Sequence, residues 1–283
     1  MYALPRGERN CREMRGELDD CALKVIRQQV PDVEPLHKRV LALSPDFISM
    51  AFNPSSAVPV AAVCLNDTRT SVEEACYGFE EALAHLIWYR EKSPTKPNEP
   101  AAVFYARFYA TATASALYAA GEHIADAVLD MLEIDRCKLV SDEKSLQSKV
   151  VQYLQQELPA HDISSAVRAL GSSEHWRKTM TFRHRWVHSQ PATVAGLGIV
   201  HTRSKKWETF TGEDGSFRHV LRVGGGDTPE YTIDEIIRFV GPAMTEFVRL
   251  FETVVSVYEC LLSNAGIIFN PSNDSAGGAD KAR

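Results

Sequence analysis

The chain has 283 residues, 45% hydrophobic and 24% charged, with a net charge of -6, which is enough for a substantial core and excludes a surface coated throughout for nucleic acid. No apolar run approaches the roughly 18 residues of a membrane span, and "MYALPRGERNCREMRGELDD" lacks the basic start and apolar stretch of a secretory signal. The six cysteines lie far apart without a Cys-x-x-Cys pair, which points to a reducing cytoplasm rather than a disulfide framework.

In chain order, polar residues 1 to 16 precede a helix expected from about Glu17 to Gln29, stopped by Pro31, and another near Leu36 to Leu43, stopped at Ser44-Pro45. "FNPSSAVPVAAVCLND" combines prolines with β-branched residues and reads as loop or a short strand. Ser71 then suits an N-cap, with Glu73 and Glu74 in the first turn of a helix reaching about Lys92. After the linker "SPTKPNEP" comes the longest element, about Ala101 to Asp135. Phe104, Phe108, Thr111, Ser115, Tyr118, Glu122, Ala125, Leu129 and Leu132 share one helical stripe, apolar or small except at Glu122. The small residues of "ATATASALYAAG" would let a neighbouring helix approach closely, and would equally suit a loosely packed surface.

Helices follow over about Asp142 to Leu158 and Glu174 to Ser189, with a helical turn near Ile163 to Leu170 between them. "GIVHTRSKKWETF" and "SFRHVLRV" flank the turn "TGEDG" as a small β-hairpin, and a last helix runs from about Thr232 to Ser263. The fold class is therefore mostly α: an up-and-down helical bundle carrying a hairpin at about 198–224. The expected organisation is an extension over 1–70, the bundle over 71–265, and a disordered tail over 266–283.

Charge is unevenly placed. Between Glu174 and Lys206 seven Lys or Arg face one acid, so this window carries +6 and the remainder -12. A solvated basic face would account for such a window on charge alone. On a helical wheel Trp176, Met180, Arg183 and Val187 fall within roughly 60° of one another, with Phe182, Thr179 and Trp186 continuing the apolar arc. Arg183 thus sits where a core residue is wanted, while Arg185 and Lys178 point away and Arg177, His184 and His188 share one edge. A guanidinium in a core needs a carboxylate, a phosphate or a wet cleft. Glu122 is the internal carboxylate candidate and Asp126 the fallback. His184 and His188, one turn apart, could chelate a metal, but no acidic third ligand lies in the helix and Arg177 and Arg183 would repel a dication. The other task for such a set is phosphate chemistry, since arginine offers paired donors and histidine exchanges protons near neutral pH.

Arg183-x4-His188, within "FRHRWVH" on a helix stopped by Pro191, resembles the R-x4-6-H motif of the HEPN superfamily (higher eukaryotes and prokaryotes nucleotide-binding domains). The resemblance covers about residues 70–265 and implies a helical bundle that dimerises with two motif helices across a cleft. It also implies a metal-independent endoribonuclease without cofactors, of toxin or antiviral type, with RNA as substrate and control by an antitoxin or nucleotidyltransferase partner. Arg183 takes the motif Arg position and His188 the His position. His184 stands where members often carry Asn, and Glu122 is nominated as the assisting acid. Arg177 with the hairpin cations Arg203, Lys205 and Lys206 would guide RNA. Two further readings are a non-catalytic HEPN-like dimerisation or nucleotide-binding module, and a metal-binding bundle using His184 and His188.

Overall fold

A computed structural model describes residues 14–92, 99–139, 145–188, 199–202, 206–211, 217–224 and 233–267; within these, the side chains of 92–101, 103, 185–188 and the strands lie outside the description. The order is α1 (Asp20–Gln28), α2 (Glu34–Leu41), α3 (Pro45–Ser49), α4 (Val58–Lys92), α5 (Glu99–Met131), a 3-10 turn (Arg136–Lys138), α6 (Leu146–Glu157), α7 (Asp162–Ser172), α8 (Glu174–His188), β1 (Ile199–Thr202), β2 (Lys206–Thr211), β3 (Phe217–Gly224) and α9 (Ile233–Asn264). The fold is a mostly α-helical bundle. No described helix is long and apolar enough to cross a membrane.

The chain divides into two compact units. The first comprises Met1–Pro31, Glu74–Tyr118 and Ser172–Glu246, the second Asp32–Glu73, Ala119–Gly171 and Phe247–Arg283. A boundary at residue 70 falls inside α4, and the first 70 residues contribute to both units.

Helix ends follow local chemistry. Asp19 caps α1 by accepting from Ala22 N–H, and Ser145 caps α6 by accepting from Ser148 N–H. Pro45, expected only to stop a helix, instead starts α3 behind the Ser44 cap, because the N–H that proline lacks has no partner in a first turn.

Two corrections concern the long helices. Of the segment read as loop or strand, residues 52–57 lie outside any helix, and 58–67 form about three turns at the start of α4. Pro59 stands at its second position, where it costs little. Val58, Ala61, Ala62, Leu65, Thr68 and Val72 are buried at steps of three and four, so the period is helical despite the valines. Ser71 is buried inside the helix rather than capping it.

In α5 the expected stripe holds at Thr111, Ala125 and Leu129, but Phe104 and Phe108 are 51% and 54% exposed. The buried row there is Ala102, Ala106, Ala110 and Ala114. A Cβ on Gly78 of α4 would lie 2.8 Å from Thr113 Oγ1 and 3.3 Å from Tyr109 O. With the two backbones so close, only alanine-sized side chains fit between them.

The three strands form a sheet in the order β1-β3-β2. β2 pairs antiparallel with β3 from Lys206↔Arg222 to Thr211↔Phe217. The run expected as one strand is two segments, because β1 pairs parallel with the other edge of β3, from Ile199↔Leu221 to Thr202↔Gly224.

Candidate functional site

The helix that carries the motif, α8, is tied down at its start. Ser173 Oγ accepts from Trp176 N–H at 3.2 Å and donates to Glu246 of α9. His175 Nδ1 lies 3.1 Å from the other Glu246 oxygen. A carboxylate beside a helix N-terminus is favoured by the peptide dipoles as well. Along the helix, Trp176, Thr179 and Phe182 are buried, and Phe182 meets Phe239 of α9 edge-on at 6.1 Å. Lys178 points outward, as the wheel requires, and pairs with Glu174 at 2.6 Å. That bond holds the exposed Glu174 carboxyl below its ordinary range.

This anchoring sets the rotation of Arg183. Its side chain is half-buried, and its guanidinium carbon stands 3.9 Å from the centroid of the Tyr118 ring of α5. That is a cation-π distance. The Nε atom is buried and has no hydrogen-bond partner among the described residues.

The carboxylates nominated for Arg183 are engaged in the second unit. Glu122 accepts from Leu146 N–H at 3.1 Å and Gln147 N–H at 3.4 Å. It therefore caps α6 together with Ser145, engaging two of the N–H groups that a first turn leaves without a helical partner. Asp126 accepts from Arg136 at 2.6 Å. The expected Arg183–Glu122 pair is thus replaced by an Arg183–Tyr118 stack and a helix cap.

Arg177 and His184 are both exposed, two turns apart on one face of α8. The α8 backbone carries position 188 one turn beyond His184; the His188 side chain lies outside the described residues. Arg203 and Lys205 lie outside them as well, and Lys206 opens β2 without a described side chain. Among the described residues no group of three or more His, Cys, Asp or Glu could hold a metal ion.

Tyr118 and Glu246 were not nominated by the sequence. Tyr118 was on the α5 stripe but read as core, and its signal was a polar aromatic one turn before a carboxylate. Glu246 stands as the one acid in "GPAMTEFVRLF", a hint that becomes legible only once Ser173 is known to face it.

Other titratable groups are partly or fully buried on other helices. Burial pushes the Cys64 thiol up to about 12, with Asp130 adding to the shift, so it stays protonated and inert. His85, in the first unit, donates from Nδ1 to Glu81 O at 2.6 Å and stacks on Tyr109 at 5.7 Å. His37, in the second, donates from Nδ1 to Glu73 at 3.0 Å. The Nε2 atoms of both are buried without a partner among the described residues. Burial lowers both from the ordinary 6.5, against the pull of Glu81 on one and Glu73 on the other.

A lowered histidine makes the unfolded chain bind more protons than the folded one. Stability is then full above about 6.5 and falls as acid is added, until the folded rings themselves protonate. Urea titrations at pH 7 and pH 5 should show that loss, and His85→Leu should make it smaller. An equal loss in the variant would remove His85 as a source.

Comparison with protein-family models, with curated proteins and with solved structures finds no match to this chain.

Proposed function

We propose that the chain is a HEPN-type, metal-independent endoribonuclease acting as a homodimer, with Arg183 and His188 on α8 as its chemical pair. The observation that carries this reading is the setting of Arg183. A half-buried guanidinium lies against a neutral ring and has a buried donor without an acceptor among the described residues, while Glu122 and Asp126, the carboxylates expected for it, are engaged elsewhere. A cation placed so keeps its charge for an anion that arrives from outside.

RNA supplies its own nucleophile. The 2'-oxygen bonds to phosphorus as the bond from phosphorus to the 5'-oxygen breaks, leaving a cyclic phosphate and a 5'-hydroxyl. His188 takes the 2'-hydroxyl proton and returns one to the 5'-oxygen, a task an imidazole can perform as general base and then general acid. Arg183 donates to the nonbridging oxygens as charge builds in the transition state. His184 and Arg177, exposed on the same helix, contact flanking phosphates, and the basic segment at 203–206 extends that track. Glu122 has no step in this scheme, because its oxygens cap α6.

The test is cleavage in EDTA of RNA and of DNA with the same sequence. RNA should be cut and DNA left intact, and His188→Ala should lower the rate by roughly 10²–10⁴-fold, the usual worth of a general acid or base. If the wild-type protein cuts no RNA, the enzyme reading falls. The stack on Tyr118 also suits a second reading, a non-catalytic HEPN-like module in which Arg183 merely holds α8. In that case substituting Arg183 destabilises the fold and His188→Ala is silent.

A further inference from the structure

We infer that Tyr118 is the positioning residue of the anion site at Arg183: its ring holds the guanidinium in place without neutralising it. This rests on the reading of Arg183 as a phosphate-binding group.

Any side chain that fixes an arginine must offer it negative potential. A carboxylate does so with a full charge, forms a bidentate bond and takes up the donors a phosphate would use. An aromatic face does so with a quadrupole, which attracts the cation from above and leaves the in-plane N–H groups unengaged. Along α5 both kinds of side chain stand one turn apart, Tyr118 and then Glu122. Arg183 lies 3.9 Å over the ring, and the Glu122 carboxylate accepts from the first N–H groups of α6. The buried Nε, which has no acceptor among the described residues, fits this arrangement. The clamp of Ser173 and His175 on Glu246 fixes the start of the same helix, which sets the register that brings Arg183 over Tyr118.

The probe is a uniformly 2'-O-methylated oligoribonucleotide, which offers phosphates but no attacking hydroxyl. Its affinity is measured against salt concentration for the full chain and its variants. Tyr118→Leu should bind about tenfold more weakly, the value of a partly buried cation-π contact. Tyr118→Phe should restore binding to within about twofold, because the face and not the hydroxyl does the holding. Tyr118→Glu should bind as weakly as Arg183→Met, and both should lose about 0.7 from the slope of log affinity against log salt, one phosphate contact on a single strand. A ring that merely packed would not move that slope.

Wild-type affinity in Tyr118→Leu, or a Tyr118→Phe as weak as Tyr118→Leu, overturns the inference, and so does a wild-type chain that does not bind the probe. If Tyr118→Leu does not melt cooperatively, Tyr118→Gln takes its place with the same expected loss. Should the ring dependence hold while unmodified RNA stays uncut, the nuclease reading falls and the role of Tyr118 stands.

Discussion

Arg183→Met is expected to slow RNA cleavage by about 10²–10³-fold while leaving the fold about as stable as the wild type. Two opposing terms set the stability. Losing the stack on Tyr118 costs about 0.5–2 kcal/mol. Removing a buried donor that has no acceptor among the described residues returns about 1–3 kcal/mol. Methionine keeps the stem's length as far as the Nε position, and because the side chain is only half-buried the cavity term is small. The net change should lie within about 1 kcal/mol of zero, and could favour the variant. The effect on cleavage is one-sided: withdrawing a preorganised donor from developing phosphorane charge should lower the rate by about 10²–10³-fold. Thermal melting and single-turnover cleavage in EDTA, run on the same preparation, read both quantities. A fall in stability of several kcal/mol would make Arg183 a structural residue and favour the non-catalytic module.

The same residue marks where reading the sequence stops. The wheel through α8 identified Arg183 as misplaced for a surface charge, because the positions of Trp176 and Phe182 on the same arc are local facts. Some helix stops were legible for a similar reason, since α1 ends before Pro31 and α6 before Pro159, whereas the caps at Asp19 and Ser145 were not foreseen and the one assigned to Ser71 lies inside α4. What Arg183 meets was not local. Charge complementarity pointed to Glu122, but whether a carboxylate turns toward an arginine or toward the bare N-terminus of α6 depends on tertiary placement, and the helix end carried the stronger local demand. The start of α4 failed for the opposite reason. Three valines and a proline at 58–63 gave a local signal for loop or strand, and the burial of Val58, Ala61, Ala62 and Leu65 in the core of the second unit overrode it. On α5 the large aromatics were assigned inward by their helical spacing, yet the close approach at Gly78 reserves the inner row for alanine. Small residues in that helix were a packing feature, and the phenylalanines beside them an exposed one.

The largest stability effect is expected in the first unit, between α4 and α9. Phe79 is fully buried, and a Cβ built on Gly241 would lie 2.7 Å from its Cζ. Phe79→Ala should cost about 3–5 kcal/mol, the transfer term plus the cavity left behind. That is a large share of the roughly 5–15 kcal/mol that holds a domain folded. Gly241→Ala should also destabilise, but through overpacking: about 1–3 kcal/mol of displaced ring, offset by about 1 kcal/mol of gained helix propensity. The informative variant joins Gly241→Ala to Phe79→Leu. With the ring tip gone the methyl group has room, the propensity gain remains, and the alanine becomes stabilising in that background. A double-mutant cycle by urea denaturation should therefore show a coupling of about 1–3 kcal/mol, as residues in contact do. The consequence reaches α8, because Phe239, two residues before Gly241 on the same helix, is the ring that Phe182 meets. Phe79→Ala should accordingly weaken binding of the methylated probe before it unfolds the chain, whereas simple additivity of the two substitutions would mean that Phe79 and Gly241 do not share the contact described.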